Sequence, residues 1–377
     1  MTFKNVIIYN NIFVGEIPSE IQAIGGTAIH ISNFVKFLSE KNYKVFCAGY
    51  CVGFDGNTSI VSLMNKYCKR NIYYLIELLK NNYIKSLPEH TLIHVHRSDH
   101  IALLKNKKKF KTILSLHGQA RKTINGSKNI LKIIIFRFLE NYGIKNADHI
   151  IVTDKYTQTY YLNIFPFIKN KISIVPDSVD TDKFNIIDKS DCFDKLKLNP
   201  EKKYILYVGR LDYPKKIKEI IDTFNIVLKN HPEFILLIIG KGKDKNKICE
   251  YIKTIGIEEK VLLCGYQTNN SLPYYYNISE FSILLSENEG SPISIKESLA
   301  CGIPVIANNV GDINEVVLNN INGFCVEKIN ILEIANRIET LLTMNISKLS
   351  CRNSIMGYSN LKVFEKITNL YQLFNNE

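Results

Sequence analysis

The feature that most limits how this chain can fold is an alternation. Short runs of β-branched and aliphatic residues recur between stretches whose apolar residues repeat every three or four positions. The short runs, bounded by turn residues, read as strands buried on both faces; the longer period reads as amphipathic helices. In the first half this predicts strands at Val6–Tyr9, Lys44–Ala48, Leu92–His96, Thr112–Leu116, His149–Thr153 and Ile172–Val175, with helices at Ala28–Glu40 and Asn129–Tyr142. In the second half it predicts strands at Tyr204–Val208, Phe234–Ile239, Val261–Cys264, Phe281–Leu285 and Val305–Ala307. Helices there fall at Ile217–Lys229, Asn246–Ile255, Pro292–Cys301 and Ile329–Leu342. Parallel neighbours need a crossover long enough to hold a helix, so the alternation points to parallel, doubly wound α/β sheets.

The series runs twice. Between the two runs lies "VPDSVDTDKFNIIDKSDCFDKLKLNPEKK", Val175–Lys203, which is polar and turn-rich. We therefore expect two domains, residues 1–180 and 181–358, and 377 residues at 46% hydrophobic content suffice for two cores. The last segment carries Leu361, Phe364, Ile367, Leu370, Tyr371 and Phe374 on one helical stripe, which must pack against something.

Charge is lopsided. Residues 1–185 hold 25 Lys and Arg against 13 Asp and Glu, and residues 186–377 hold 23 of each, so the whole excess of +12 sits in the first half. A basic half suits an anionic partner such as a phosphorylated acceptor, an acidic membrane surface or nucleic acid. "KNKKKFK", Lys105–Lys111, is the densest basic run and reads as a solvated turn or an anion contact. "NILKIIIFRFLENYG", from Asn129, reads as a core helix with Lys132 and Arg137 at the surface, and alternatively as a membrane contact. No stretch approaches the about 20 apolar residues of a membrane span, and the start "MTFKNVIIYNN" reads as a strand and not as a signal peptide. The nine cysteines are scattered without a C-x-x-C pair, so reduced thiols in a cytoplasmic protein are expected.

The chemistry concentrates in "LLSENEGSPISIKESLACGIPVIANN", Leu284–Asn309. Glu289 and Glu297 stand eight residues apart, on either side of Gly290, Ser291 and Pro292. Ser291 is expected as the N-cap of a helix and Pro292 in its first turn, after a strand, with Gly302 as the stop. A helix N-terminus at the C-terminal edge of a parallel sheet binds anions, and the amides of Ile293 and Ser294 would face a phosphate. Glu297 then lies about 7–8 Å further along the axis, a reach that suits a ribose next to a diphosphate, with Glu289 on the sugar side. Taken alone, the pair is equally an N-terminal charge and a solvent-facing side chain. "YVGRLDYPKKIKEIIDTF" puts Gly209 and Arg210 after a strand and Lys215 and Lys216 at the next helix start, where cations neutralise a leaving diphosphate. Gly25 and Gly26 open a strand-to-helix loop that backbone amides and a phosphate can share, or form a plain turn. His117 and Gly118 end another strand, where a histidine is either structural or functional.

Together these segments resemble glycosyltransferase family 4, retaining enzymes of the GT-B fold. The likeness runs in register through Gly25, Gly26 and His30, "HVH" at His94–His96, "LHG" at Leu116–Gly118, "ADHIIVTD" at Ala147–Asp154 and "IVPDSVDTDKF" at Ile174–Phe184. It continues through "VGRL" at Val208–Leu211, the two-glutamate segment with "GIPVIA", "VGDINEVV" at Val310–Val317 and "NGFCV" at Asn322–Val326. The resemblance implies two Rossmann-like domains facing a central cleft, with a terminal helix, 359–377, packing back on the first. It implies Arg210 and Lys215 on the donor diphosphate, Glu289 beside the donor sugar, Glu297 on the ribose, Gly26 closing over the phosphates and His117 at the donor sugar. The partners it implies are a nucleoside diphosphate sugar and a glycan or lipid-linked anionic acceptor, with no cofactor and no metal. Specific nucleic-acid binding is not expected.

Three positions depart from the family pattern. Lys215-Lys216 stands for Lys-Gly, and the apolar register of Ile217, Ile220, Ile221 and Phe224 favours Lys215 as the phosphate lysine while leaving Lys216 open. Asp177-Ser178-Val179-Asp180 stands for Asn-Gly-Val-Asp, and Asp312 stands for the second glycine of a Gly-Gly pair. Asp180-Thr181-Asp182 has the D-x-D form of a metal signature, but it falls in the linker and is set aside. The expected activity is retaining transfer of a hexose-type sugar in cell-surface polysaccharide or glycolipid synthesis, on the cytoplasmic side. The alternatives are a sugar-nucleotide epimerase of the same fold and a non-catalytic sugar-nucleotide or nucleic-acid binder.

Overall fold

The computed structural model describes residues 5–9, 14–15, 26–52, 59–64, 76–77, 87–88, 90–102, 104, 110–125 and 129–374. Contacts divide the chain into two compact units, Met1–Asp177 with Asn360–Glu377, and Ser178–Ser359.

The first unit holds eight described strands: β1 (Asn5–Tyr9), β2 (Val14–Gly15), β3 (Lys44–Val52), β4 (Ile60–Met64), β5 (Thr91–Val95), β6 (Thr112–Leu116), β7 (His149–Val152) and β8 (Ile172–Ile174). They pair in parallel in the order β2-β3-β1-β5-β6-β7-β8, with β4 beside β3. The chain moves outward from β1 to β3 and then returns to β5 on the other side. The order therefore reverses between β1 and β5, the place where an open α/β sheet leaves a crevice at its strand C-termini.

Alternate residues of each strand feed opposite faces of this sheet. Val45 and Cys47 join Val6, Ile8 and Leu92 on one face, against Ile31, Phe34, Val35 and Leu38 of the helix Gly26–Glu40. Val363, Phe364, Ile367 and Tyr371 of the terminal helix Asn360–Gln372 lie in the same core with Leu370 and Phe374 packed against it, so the stripe seen in the sequence packs on the first unit except at Leu361, which is exposed. Phe46 and Ala48 turn the other way, towards Ile101, Ile144 and Tyr161.

The helix Ile130–Asn146, capped by Asn129, whose side chain accepts from the Lys132 amide, corrects an expectation. It is not a core helix. Only Phe136, Glu140, Gly143 and Ile144 are buried, while Ile130, Leu131, Ile134, Ile135 and Phe138 are exposed. Gly143 explains the geometry: a Cβ there would fall 2.0 Å from the Ser98 carbonyl oxygen, so the helix makes its close approach along that narrow stripe. Ile130, Ile134 and Ile135 stand off it. The basic run's Lys105–Lys109 lies outside the described residues. Among the described residues, no helix is long and apolar enough to cross a membrane.

The second unit is a six-stranded parallel sheet of β9 (Lys203–Val208), β10 (Phe234–Ile239), β11 (Val261–Gly265), β12 (Ser279–Leu284), β13 (Val305–Asn308) and β14 (Gly323–Val326), in the order β11-β10-β9-β12-β13-β14. Its order reverses between β9 and β12. β14 has no strand signal of its own; it begins at a glycine with φ 149° and is only four residues long. The Asp180–Asp182 segment forms a turn in which the Asp180 carboxylate accepts from the Lys183 amide at 3.0 Å. The Arg352 guanidinium fastens that turn, donating to the carbonyls of Thr181, Phe184 and Ala300 at 2.7–2.9 Å.

Candidate active site

In the second unit, three loops at strand C-termini are tied to one another. The Lys216 amide donates to the Leu285 carbonyl at 3.0 Å and the Glu287 amide to the Pro214 carbonyl at 3.1 Å, joining the loops after β9 and β12. The Asn308 side chain accepts from the Ser286 amide at 2.8 Å and donates to its carbonyl at 2.9 Å, adding the end of β13. These bonds bring Lys215 and Glu289 into direct contact as an ion pair, with both side chains largely buried. Lys216, the N-cap of the helix Ile217–Val227, turns instead to Glu287 and to Glu219 at 3.4 Å. Arg210 follows Gly209 into solvent; its side chain is 60% exposed, with Asp212 at 3.2 Å. The backbone of Gly209 and Arg210 is fixed from below, where the Tyr207 hydroxyl donates to the Arg210 carbonyl at 2.7 Å.

The helix Ile293–Ala300 starts one residue later than expected. Pro292 takes the N-cap position at φ −67° and ψ 113°, and Ser291 does not cap it. The Ser291 hydroxyl serves a buried cluster, donating to Asp312 at 2.5 Å and accepting from Lys296, while Lys296 reaches Asp312 at 2.9 Å. Lys296 and Asp312 are fully desolvated, and such charges persist only when paired. The Asp312 amide also donates to the Gly290 carbonyl at 2.9 Å. Next to it, Gly311 has φ 64°, and a Cβ there would sit 2.0 Å from that same carbonyl oxygen. The departure at Asp312 is therefore matched by a lysine one residue before Glu297, and the pair clamps the Gly290–Ser291 loop. The amides of Ile293 and Ser294 open the helix, where first-turn N–H groups have no acceptor within the helix itself.

Glu297 lies deep in the unit, with the Tyr276 hydroxyl donating to it at 3.0 Å. Burial pushes its carboxyl up to about 7, opposed by that hydrogen bond and by Lys183.

In the first unit, Gly26 is the first described residue of its helix and is exposed; Gly25 lies outside the described residues. His117 follows β6 directly and spends both ring nitrogens: Nδ1 is 2.8 Å from Asp177 Oδ1, and Nε2 is 2.9 Å from His96 Nδ1. While both bonds stand, the ring has no nitrogen left for a ligand. His94 is similarly engaged, with the Tyr371 hydroxyl at 2.6 Å and Ser115 Oγ at 2.7 Å. Among the described residues, no group of three or more His, Cys, Asp or Glu side chains is arranged to hold a metal ion.

Sequence reading missed Lys296, Tyr276, Tyr207 and the pairing role of Asp177. For Lys296 a signal existed: a lysine just after the Gly290–Ser291 loop, together with an acidic residue, Asp312, where the family has a glycine.

The Glu297 carboxyl yields a test with a definite sign. Its folded pKa is raised above the unfolded value, so the stability it contributes as a neutral acid is full below about 4.5 and is lost as pH rises through about 7. Glu297→Gln should remove this dependence, shrinking the stability difference between pH 5 and pH 8 by up to about 3 kcal/mol in urea denaturation. An unchanged pH dependence would contradict the assignment.

Two family models match the chain in series: Glycosyltransferase Family 4 over residues 24–183 and Glycosyl transferases group 1 over residues 188–355. An uncharacterized glycosyltransferase of Methanocaldococcus jannaschii is 27% identical over 92% of this chain and 95% of its own. The Escherichia coli UDP-Gal:alpha-D-GlcNAc-diphosphoundecaprenol alpha-1,3-galactosyltransferase is 28% identical over 63% of each chain. Among solved structures, sucrose-phosphate synthase of Thermosynechococcus elongatus superposes with a TM-score of 0.80 at 18% identity, covering 99% of this chain and 100% of that one. Anabaena HepE holding UDP and glucose gives 0.76 at 14%, covering 98% and 99%. With two parallel-sheet units, each carrying its family's half in order, the chain belongs to the GT-B glycosyltransferases of family 4.

Proposed function

We propose that the chain transfers a hexose-type sugar from a nucleoside diphosphate sugar to a glycan or lipid-linked acceptor, with retention of anomeric configuration and without a metal. The observation that carries this is the Lys215–Glu289 pair at the switch point of the second sheet, beside the first amides of the helix Ile293–Ala300. In this reading an arriving diphosphate takes Lys215 from Glu289. Arg210, already in solvent, leaves Asp212 to join it. These two cations and the amides of Ile293 and Ser294 stabilise the negative charge that builds on the leaving phosphate. Glu289, released from its lysine, accepts from the donor sugar's hydroxyls, and Glu297 accepts from the ribose. Lys216 is held by two carboxylates, which favours Lys215 as the phosphate lysine. The acceptor hydroxyl attacks on the face that the phosphate leaves, its proton passing to the departing phosphate oxygen, and no protein nucleophile is assigned. The E. coli relative acts on a diphosphoundecaprenol-linked sugar and HepE binds UDP, which supports this donor and acceptor chemistry.

The exposed face of Ile130–Asn146 supports peripheral docking on the cytoplasmic side of an anionic membrane. Five large apolar side chains stand exposed together with Lys132 and Arg137, in the half of the chain that carries the charge excess. A helix of this kind lies in the lipid interface, and its cations add attraction to acidic headgroups.

With a panel of UDP-, GDP- and ADP-sugars, Glu289→Ala, Arg210→Ala and Lys215→Ala should each lower turnover by at least about 10²-fold. Near-normal transfer by all three would overturn the assignment. In co-sedimentation with phosphatidylglycerol-containing vesicles at low salt, the wild-type chain should pellet and the Ile134→Glu/Phe138→Glu variant should lose most of that binding. Equal behaviour of the two, or no pelleting of the wild type, would remove the membrane from the account.

A further inference from the structure

His96 is the residue the donor-site reading leaves unused. It follows β5 directly, as His117 follows β6, and the two strands are parallel neighbours. Both histidines therefore sit at the C-terminal edge of the first sheet, next to the reversal between β1 and β5. For neutral rings their tautomers follow from the hydrogen-bond partners. A carboxylate only accepts, so Asp177 takes a hydrogen from His117 Nδ1. With His117 neutral, one ring nitrogen donates and the other accepts, so His117 Nε2 accepts and His96 donates from Nδ1. That leaves His96 Nε2 as a bare lone pair. The side chain is nearly completely buried, and Nε2 has no hydrogen-bond partner among the described residues. Burial and the neighbouring histidines hold the His96 pKa well below the usual imidazole range, so the ring stays neutral. A desolvated acceptor left unpaired carries an unrecovered desolvation cost, which a hydrogen-bond donor offsets and an anion does not.

We propose that His96 Nε2 accepts a hydrogen bond from a hydroxyl of a sugar substrate, with His117 and Asp177 as positioning residues that fix its tautomer. The proposal rests on the glycosyltransferase reading and moves the histidine contact to the sugar from His117 to His96. It also gives the departure at 177 a role. An asparagine can present either an oxygen or an N–H to His117, and so leaves the tautomer undetermined; an aspartate cannot.

Two measurements on the full chain test this. Nitrogen-15 NMR of histidine-labelled protein reads the tautomers without any need for activity. His96 and His117 should both carry hydrogen on Nδ1, and Asp177→Asn should give a mixture; hydrogen on Nε2 of His96 in the wild type overturns the proposal. The second is a cycle of kcat/KM between His96→Phe and monodeoxy substrates, in one arm the deoxy donors of the active nucleoside diphosphate sugar and in the other the deoxy acceptors. One deoxy compound should lose about 10-fold with the wild type and little further with His96→Phe, and His96→Gln, which keeps an acceptor oxygen, should recover part of the loss. The arm in which the losses fail to add identifies the substrate. Additive losses for every compound in an active enzyme overturn the contact alone. A wild type inactive with every donor, its tautomers as expected, overturns the glycosyltransferase reading and the contact with it.

Discussion

The ion pair between Lys215 and Glu289 is the interaction around which the loops of the candidate site are arranged. Two charges drawn largely out of water are tolerable only together, and taking away one strands the other. Their meeting requires the loops after β9 and β12 to be fastened, which the bonds through Leu285, Pro214 and Asn308 accomplish. It also requires the Gly290–Ser291 loop to hold its shape, and there the Lys296–Asp312 pair acts from within the core. A site built this way keeps its lysine and its glutamate satisfied by each other; in the proposed reading a donor offers an anion to one and hydroxyls to the other.

Much of this was legible in the sequence because parallel sheets advertise themselves. Their strands are apolar on both faces and their helices have a clear period, so β9, β10 and β12 and the helix Ile217–Val227 lie close to where the pattern puts them. The same pattern misjudged Ile130–Asn146. Five exposed apolar residues read as core, because hydropathy records how apolar a residue is and not whether something covers it. β14 was invisible, since four residues starting at a glycine carry too little periodicity. The cap of the helix Ile293–Ala300 was misplaced by one residue because Ser291 has a tertiary partner that local rules do not see.

The candidate site was legible as residue types and not as pairings. Glu289, Lys215 and Arg210 were identifiable as candidates from their places after strands, and the contact of Lys215 with Glu289 supports Lys215 over its neighbour in the proposed reading. Asp177 and Asp312 stood out in the sequence only as departures. Each proves to be half of a pair, with His117 and with Lys296, whose members lie 60 and 16 residues apart.

The central claim is retaining transfer from a nucleoside diphosphate sugar. Proton NMR of the chain incubated with such a donor, with and without a diphospholipid-linked sugar acceptor, tests it most directly. The account predicts a new glycosidic linkage that keeps the donor's anomeric configuration and forms only with acceptor. An inverted linkage, or conversion of the donor to an epimer without acceptor, would contradict it.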